Sequence, residues 1–183
     1  SDITFDIQAN EMHVHRKRAE PWKITLVDTG DKSMTGGRLL RVSDHIKDEE
    51  SFCFTYGDGV GDINISSAID FHNSHKKLAT VTTSYPPGRF GSITIQDNQV
   101  MNFIEKPKGD GAMVNAGFFI LSPKILDYLK DDSTVWEKEP LENLAKDGEL
   151  MAYQYEGFWQ CMDTVRDKNY LNDLIINKNT PWL

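Results

Sequence analysis

Apolar residues recur along the chain with two periods, and the switches between them mark the elements. Ile3, Phe5 and Ile7 stand two apart with Thr4 and Asp6 between them, the pattern of a strand. Ile24-Thr25-Leu26-Val27-Asp28 is a short apolar run ending in an acid and predicts a second strand. Small and polar residues follow from Thr29 to Gly37, three of them glycines, and then Leu39, Val42 and Ile46 recur at helical spacing. That unit reads strand, Gly-rich loop, helix. The next repeats the order: Phe52 to Tyr56 as a buried strand, Gly57 to Gly61 as a turn, and Ile65, Ala68, Ile69 and His72 as a helix face. Leu78 to Ser84 is β-rich again. A βαβαβ alternation of this kind implies a mainly parallel sheet with helices on both faces.

The second half is mixed. Gly91 to Ile95 and Gln99 to Glu105 flank Asp97-Asn98, a hairpin turn. Asn115 to Leu121 and Met151 to Tyr155 predict strands. Pro123 starts a helix at a position that suits proline. Leu141, Leu144 and Ala145 predict a second helix, and Tyr170, Leu171, Leu174 and Ile175 a final one. No linker rich in Pro, Gly or Ser divides the chain, so residues 1–183 read as one domain with halves at about 1–84 and 85–183. A domain rarely begins in mid-sheet, so the N-terminal part of a larger protein is expected to be absent.

Composition narrows the function classes. The 183 residues carry 20 Lys+Arg against 28 Asp+Glu, a net charge of −8, which argues against a general nucleic-acid or anionic-membrane binder. The basic cluster from His13 to Arg18 reads as a solvated connection. No apolar run is long enough to span a bilayer, and Ser1 to Asn10 does not read as a signal peptide. Cys53 and Cys161 alone make neither a disulfide framework nor a zinc site, and are read as packed thiols. A cytoplasmic location is expected.

Several stretches have the chemistry of a ligand site. Asp58 ends a predicted strand between Gly57 and Gly59, where ligands of open α/β sheets bind. Two roles fit it: the acceptor of an Asx turn, or a carboxylate holding a hard cation such as Mg²⁺ against a phosphate. An EF-hand is excluded, because the alternate-position acids and the closing Glu are missing. The Gly-rich stretch offers Ser33, Thr35 and Arg38 as donors and, with the helix behind it, free N–H groups, although it lacks the Gly-Lys-Ser/Thr ending of a P-loop. Taken alone, the loop reads first as a plain connection. Lys106, before Pro107, is either a point charge for phosphate or an exposed edge residue. Asp163 and Thr164 precede the last helix, and either can cap it, while Asp163 also suits a metal.

In their order along the chain these stretches resemble the sugar-1-phosphate nucleotidyltransferases. The resemblance rests on Glu20-Pro21-Trp22, Asp28-Thr29-Gly30, Met34 to Arg38, Thr55 to Gly59, Pro86 to Gly91, Glu105 to Gly111, Asn115 to Phe119 and Gly157 to Thr164. It implies a Rossmann-like mixed, mainly parallel sheet, with a nucleotide half and a sugar-phosphate half. It implies that Asp58 and Asp163 hold a catalytic Mg²⁺, and that Lys106 lies by the sugar phosphate. Gly91, Glu105 and Asn115 would meet the sugar, and Ser33, Thr35, Gly36, Arg38 and Gly57 the nucleotide. The substrates implied are CTP and glucose 1-phosphate, for polysaccharide synthesis of the O-antigen kind, in a homo-oligomer of four or six chains. The family's N-terminal Gly-rich loop, with its Arg and following Lys-Pro, does not occur in the sequence. The alternatives are transfer from UTP or dTTP, a non-catalytic binding module, or a GT-A-type glycosyltransferase; the last would carry an Asp-x-Asp pair that Asp58-Gly59-Val60 lacks.

Overall fold

The computed structural model describes residues 3–15, 22–86, 92–104 and 112–183. Its centre is a four-stranded sheet of β3 (Phe52–Thr55), β5 (Ala79–Ser84), β8 (Val114–Leu121) and β9 (Leu150–Tyr155), in the order β3-β8-β5-β9. β8 runs antiparallel to both β3 and β5, and β5 runs parallel to β9. Three strands therefore share one direction and β8 is wedged, reversed, between two of them. The sheet is mixed, as the family resemblance implied, but two of its three pairings are antiparallel, because β8 enters between β3 and β5 where the βα alternation alone predicts a mainly parallel sheet.

Five of the six β5 residues are buried, which explains a strand of β-branched and small residues without polar alternation. Phe119 and Leu121 of β8 join Val81, Ile125, Trp136 and Leu144 in one core, with Leu39 from α1 (Thr35–Arg41). Three aromatic rings meet there: Trp136 lies 6.3 Å from Phe54 and 5.8 Å from Phe119, both at steep angles. Helix α2 (Ile65–His75) is opened by Asn64, whose side chain accepts from the Ser67 N–H. Helix α3 (Glu139–Lys146) follows the Trp136 turn, and α4 (Val165–Ile176) closes the chain.

Smaller pairings surround this sheet. β1 (Ile3–Asp6) pairs with β2 (Glu11–Val14), and β6 (Ser92–Gln96) with β7 (Gln99–Ile104). Asp97 and Asn98 both have positive φ, the turn that matches the twist of a two-residue hairpin. β4 (Gly59–Gly61) pairs with β10 (Trp159–Cys161).

Five expectations change. The run Ile24 to Asp28 is not a strand: it carries no regular structure, and Leu26 is 92% exposed. An apolar run states that side chains favour burial, but a strand also requires a neighbour for its backbone. The stretch Gly57 to Gly61 is a turn only at Gly57 and Asp58, because β10 recruits the rest as β4. The helix expected through Ile46 stops at Arg41 and continues as a 3₁₀ turn, Ser43–His45, and the helix at Pro123 is likewise 3₁₀, over Pro123–Tyr128. Cys53 is exposed rather than packed, because alternate residues of β3 point away from the core.

Candidate active site

β3 hands over to the site through β8. The Tyr56 N–H donates to the Gly117 carbonyl at 3.1 Å, so the pairing runs one residue past Thr55 before the chain turns at Gly57-Asp58. β4 then aligns Gly59 with Cys161, and the Met162 N–H donates to the Asp58 carbonyl at 2.9 Å. Asp58 thus faces Met162 across the pair, and Asp163 is the next residue along. The Trp159 indole N–H donates to the Ala116 carbonyl at 2.9 Å and pins β10 to β8. Backbone pairing brings two acidic residues far apart in sequence, Asp58 and Asp163, onto neighbouring strand ends.

The cap of α4 fixes the second of them. Thr164, not Asp163, is the N-cap: its Oγ1 accepts from the Asp167 N–H at 3.2 Å and donates to Asp167 Oδ2 at 2.7 Å, while Oδ2 also accepts the Thr164 N–H at 3.0 Å. Buried Gln160 donates to Asp167 Oδ1 at 3.2 Å and to the Cys161 carbonyl at 2.9 Å. The backbone of Asp163 is held from both flanks. Among the described residues no group of three or more His, Cys, Asp or Glu is arranged to hold a metal. A pair of carboxylates suits a hard cation that completes its shell with water and substrate oxygens, as Mg²⁺ does, and not one that needs an all-protein cage.

Asn115 lies on β8 beside this pair of strands. Its Oδ1 accepts from the Gly117 N–H at 2.8 Å and its Nδ2 donates to the Tyr56 hydroxyl at 3.4 Å. Gly117 has φ +79°, and a Cβ there would come within 2.8 Å of the Tyr56 ring, so only glycine lets that ring lie flat on the strand. The ionisation of Tyr56 is pushed well up, first by burial and then by a hydrogen bond to Glu137, with Asn115 acting the other way. Glu137 Oε2 also accepts from the Thr35 hydroxyl at 2.7 Å, and Thr35 Oγ1 accepts from the Trp136 N–H at 2.9 Å.

The Gly-rich segment sits differently from its expected role. The N–H groups of Gly36 and Gly37 donate to the Thr134 carbonyl at 2.9 and 3.2 Å, so the first turn of α1 does not offer them to a ligand. A Cβ on Gly37 would strike the Asp132 backbone, which is why two helix-weakening glycines stand at this crossing. Arg41 grips Asp132 with two parallel bonds, which hold the Arg41 guanidinium above and the Asp132 carboxyl below their ordinary ranges. Arg38 turns back to donate to Thr29 Oγ1 at 2.5 Å, and Ser33 is buried. A recess of about 340 Å³ opens between Gly30–Ser33 and Asp132–Ser133, on this segment and not at Asp58. Gly57 has no atom within 4 Å of the position a Cβ would take.

Of the sequence-derived candidates, Asp58, Gly57, Asp163 and Asn115 are gathered around β8 and β10. Thr35 instead donates to Glu137. Gly91, Glu105 and Lys106 lie outside the described residues. Sequence reasoning missed Glu137 altogether and gave Tyr56 no role; nothing in their spacing connects them.

The nucleotidyl transferase family profile matches residues 5–166. A glucose-1-phosphate cytidylyltransferase of Salmonella typhi is 59% identical over 182 residues, covering 100% of this chain and 71% of that protein. The protein of the same name from Salmonella typhimurium is 58% identical over the same share of each. Among solved structures, a UDP-glucose pyrophosphorylase complexed with UDP-glucose superposes with a TM-score of 0.59. It is 16% identical, and the alignment covers 83% of this chain and 65% of that one, so the likeness is one of fold.

Proposed function

The chain belongs to the nucleotidyl transferase family, and on that footing we propose that it transfers the cytidylyl group of CTP to α-D-glucose 1-phosphate, giving CDP-glucose and pyrophosphate. The observation that carries the choice of substrates is 58–59% identity, over the whole chain, to two glucose-1-phosphate cytidylyltransferases. An oxygen of the sugar phosphate forms a bond to the α-phosphorus of CTP, and the bond from that phosphorus to the β-phosphate oxygen breaks. The attacking oxygen is already an anion, so no residue has to remove a proton. What is asked of the protein is to position two mutually repelling polyanions and to offset their charge.

Asp58 and Asp163 are the residues that would hold Mg²⁺, and the bound cation supplies charge neutralisation at the phosphates. Lys106 offsets the charge of the sugar phosphate, while Asn115, Glu105 and Gly91 orient the hexose. Thr35, Arg38 and Gly57 form the nucleotide side, while Ser33 is buried and the Gly36 N–H is held by Thr134, so the expected contacts of those two are not assigned. Arg38, an exposed cation resting on Thr29, is the residue we assign to choosing cytosine.

The experiment is pyrophosphate release from CTP, Mg²⁺ and glucose 1-phosphate, with UTP and dTTP in parallel. Release with CTP above the other two is expected. Release with UTP or dTTP alone would replace the cytidylyl assignment, and no release from any of them would remove the activity. Arg38→Ala is expected to narrow the preference for CTP, and an unchanged preference would take base choice away from Arg38.

A further inference from the structure

The β4–β10 pair that leads to Asp58 and Asp163 is short, Gly59–Gly61 against Trp159–Cys161. Two strands of that length do not hold each other unaided in water. One end of the pair is closed by the bond from the Met162 N–H to the Asp58 carbonyl. At the other end the Asp62 N–H donates to the Phe158 carbonyl at 3.2 Å, and Asp62 Oδ1 accepts the Phe158 N–H at 2.9 Å. The side chain of that same Phe158 meets a ring from much further along the chain. Trp182 lies 5.4 Å from it, tilted by 34°.

Helix α4 explains how Trp182 reaches it. Its 12 residues rise about 18 Å. The chain from Phe158 to Asp163 spans about 17 Å when extended. The two lengths match, so a helix that turns back at Thr164 brings its far end towards Phe158. There Lys178 takes φ +54°, and the N–H groups of Lys178 and Asn179 donate to the Ile175 and Leu174 carbonyls at 3.1 and 2.9 Å, which turns the chain out of the helix. Of the α4 residues only Asp167 and Leu171 are buried, so the helix has little grip of its own on the core. β10, α4 and residues 177–182 form a loop, tied within by Gln160 to Asp167 and closed by Trp182 on Phe158.

We propose that Trp182 is a positioning residue for the metal carboxylates. Its ring on Phe158 closes the loop and keeps β10 in register with β4, and that register fixes where Asp163 stands relative to Asp58. The inference rests on the reading of Asp58 and Asp163 as the residues that hold Mg²⁺. Trp182 need touch neither substrate. Without its ring the arm carrying Asp163 still folds, but it frays from the Phe158 end, and the two carboxylates spend less time in their working arrangement.

The test reads the arm and the reaction separately in Trp182→Ala and Trp182→Phe. Backbone hydrogen exchange, with no metal or substrate present, reads the arm. The Asp62 and Met162 amides are expected to exchange about fivefold faster in Trp182→Ala, the loss of one ring contact. Trp182→Phe is expected to keep the parent rate, and the amides of β5 and β8 to keep theirs in both variants. Turnover reads the consequence. The Mg²⁺ concentration giving half the maximal rate is expected to rise severalfold in Trp182→Ala and to return in Trp182→Phe, with KM for glucose 1-phosphate little changed. Adding Phe158→Ala to Trp182→Ala is expected to move neither reading further. Unchanged exchange at Met162 overturns the proposal, and so does faster exchange throughout β5 and β8, which marks general loosening. Faster exchange at Met162 with an unaltered Mg²⁺ requirement overturns the positioning role while the activity stands. If Asp58→Asn and Asp163→Asn leave the Mg²⁺ requirement unaltered, or the unsubstituted protein turns over no sugar phosphate, the site reading fails and the proposal falls with it.

Discussion

At the scale of single residues, the pairing of β4 with β10 brings Asp58 opposite Met162, one residue before Asp163, and the proposed metal role rests on that pair. Asp58→Asn or Asp163→Asn keeps size and hydrogen bonding but removes half the charge of the pair. Either is expected to cost on the order of 10²-fold or more in turnover, with the thermal midpoint within a degree or two of the parent. Near-normal turnover in both would remove the metal role. Gly57 gives the complementary probe. Nothing fills the space where its Cβ would stand and its φ is not positive, so Gly57→Ala is expected to leave stability level or slightly raised. Any loss of turnover in that variant then reports a clash with the bound polyanion, whereas full activity would move the nucleotide away from Gly57. Asp58 stood out in the sequence as an acid between glycines at a strand end, whereas Asp163 read first as a cap of the last helix and took its metal role only from the family resemblance. Glu137 was not legible. Its partner Thr35 is remote in sequence, and periodicity encodes which face is buried, not which distant side chain shares a proton.

At the scale of elements, α2 and β5 share a polar contact inside the core. His75 Nδ1 accepts the Lys77 N–H at 2.9 Å, so its Nε2 bears the proton given to Thr80 Oγ1 at 2.7 Å. The Thr80 proton is then left for His72 Nδ1 at 2.9 Å. This arrangement needs both rings neutral. Burial holds His72 below its ordinary value, helped by His75; burial and Lys77 do the same for His75, with Glu149 opposing. The neutral forms are favoured in the fold, so this stability is complete above the unfolded value of about 6.5 and is lost as pH falls from there through the lowered folded values. The thermal midpoint is expected to drop faster between pH 7 and pH 5 in the parent than in His72→Gln. Parallel curves would show that the pair does not titrate in this range. The elements themselves were largely readable, since α2, α3, α4, β8 and β9 keep their periods. The run at Ile24 was not, because its alternation fixes no neighbour, and the same is true of β4, which exists only because β10 arrives beside it.

At the scale of the whole molecule, the two halves suggested by the sequence do not correspond to two sheets. β3 and β5 come from the first half, and β8 and β9 from the second, and all four alternate in one layer. Residues 1–84 and 85–183 produced separately are therefore each expected to lack cooperative unfolding, and to regain it when mixed, as followed by circular dichroism. A sharp transition in either piece alone would show a core that does not depend on β8. The position of β8 also bears on how the chain is made. β3, α2 and β5 are translated first, run in the same sense and are joined as a right-sized crossover unit. Until Leu121 is made, the inner edges of β3 and β5 have no β8 to bond. The interval between synthesis of Ser84 and of Leu121 is therefore the one in which those strand edges stand unpaired, the condition that exposes a growing chain to misassembly.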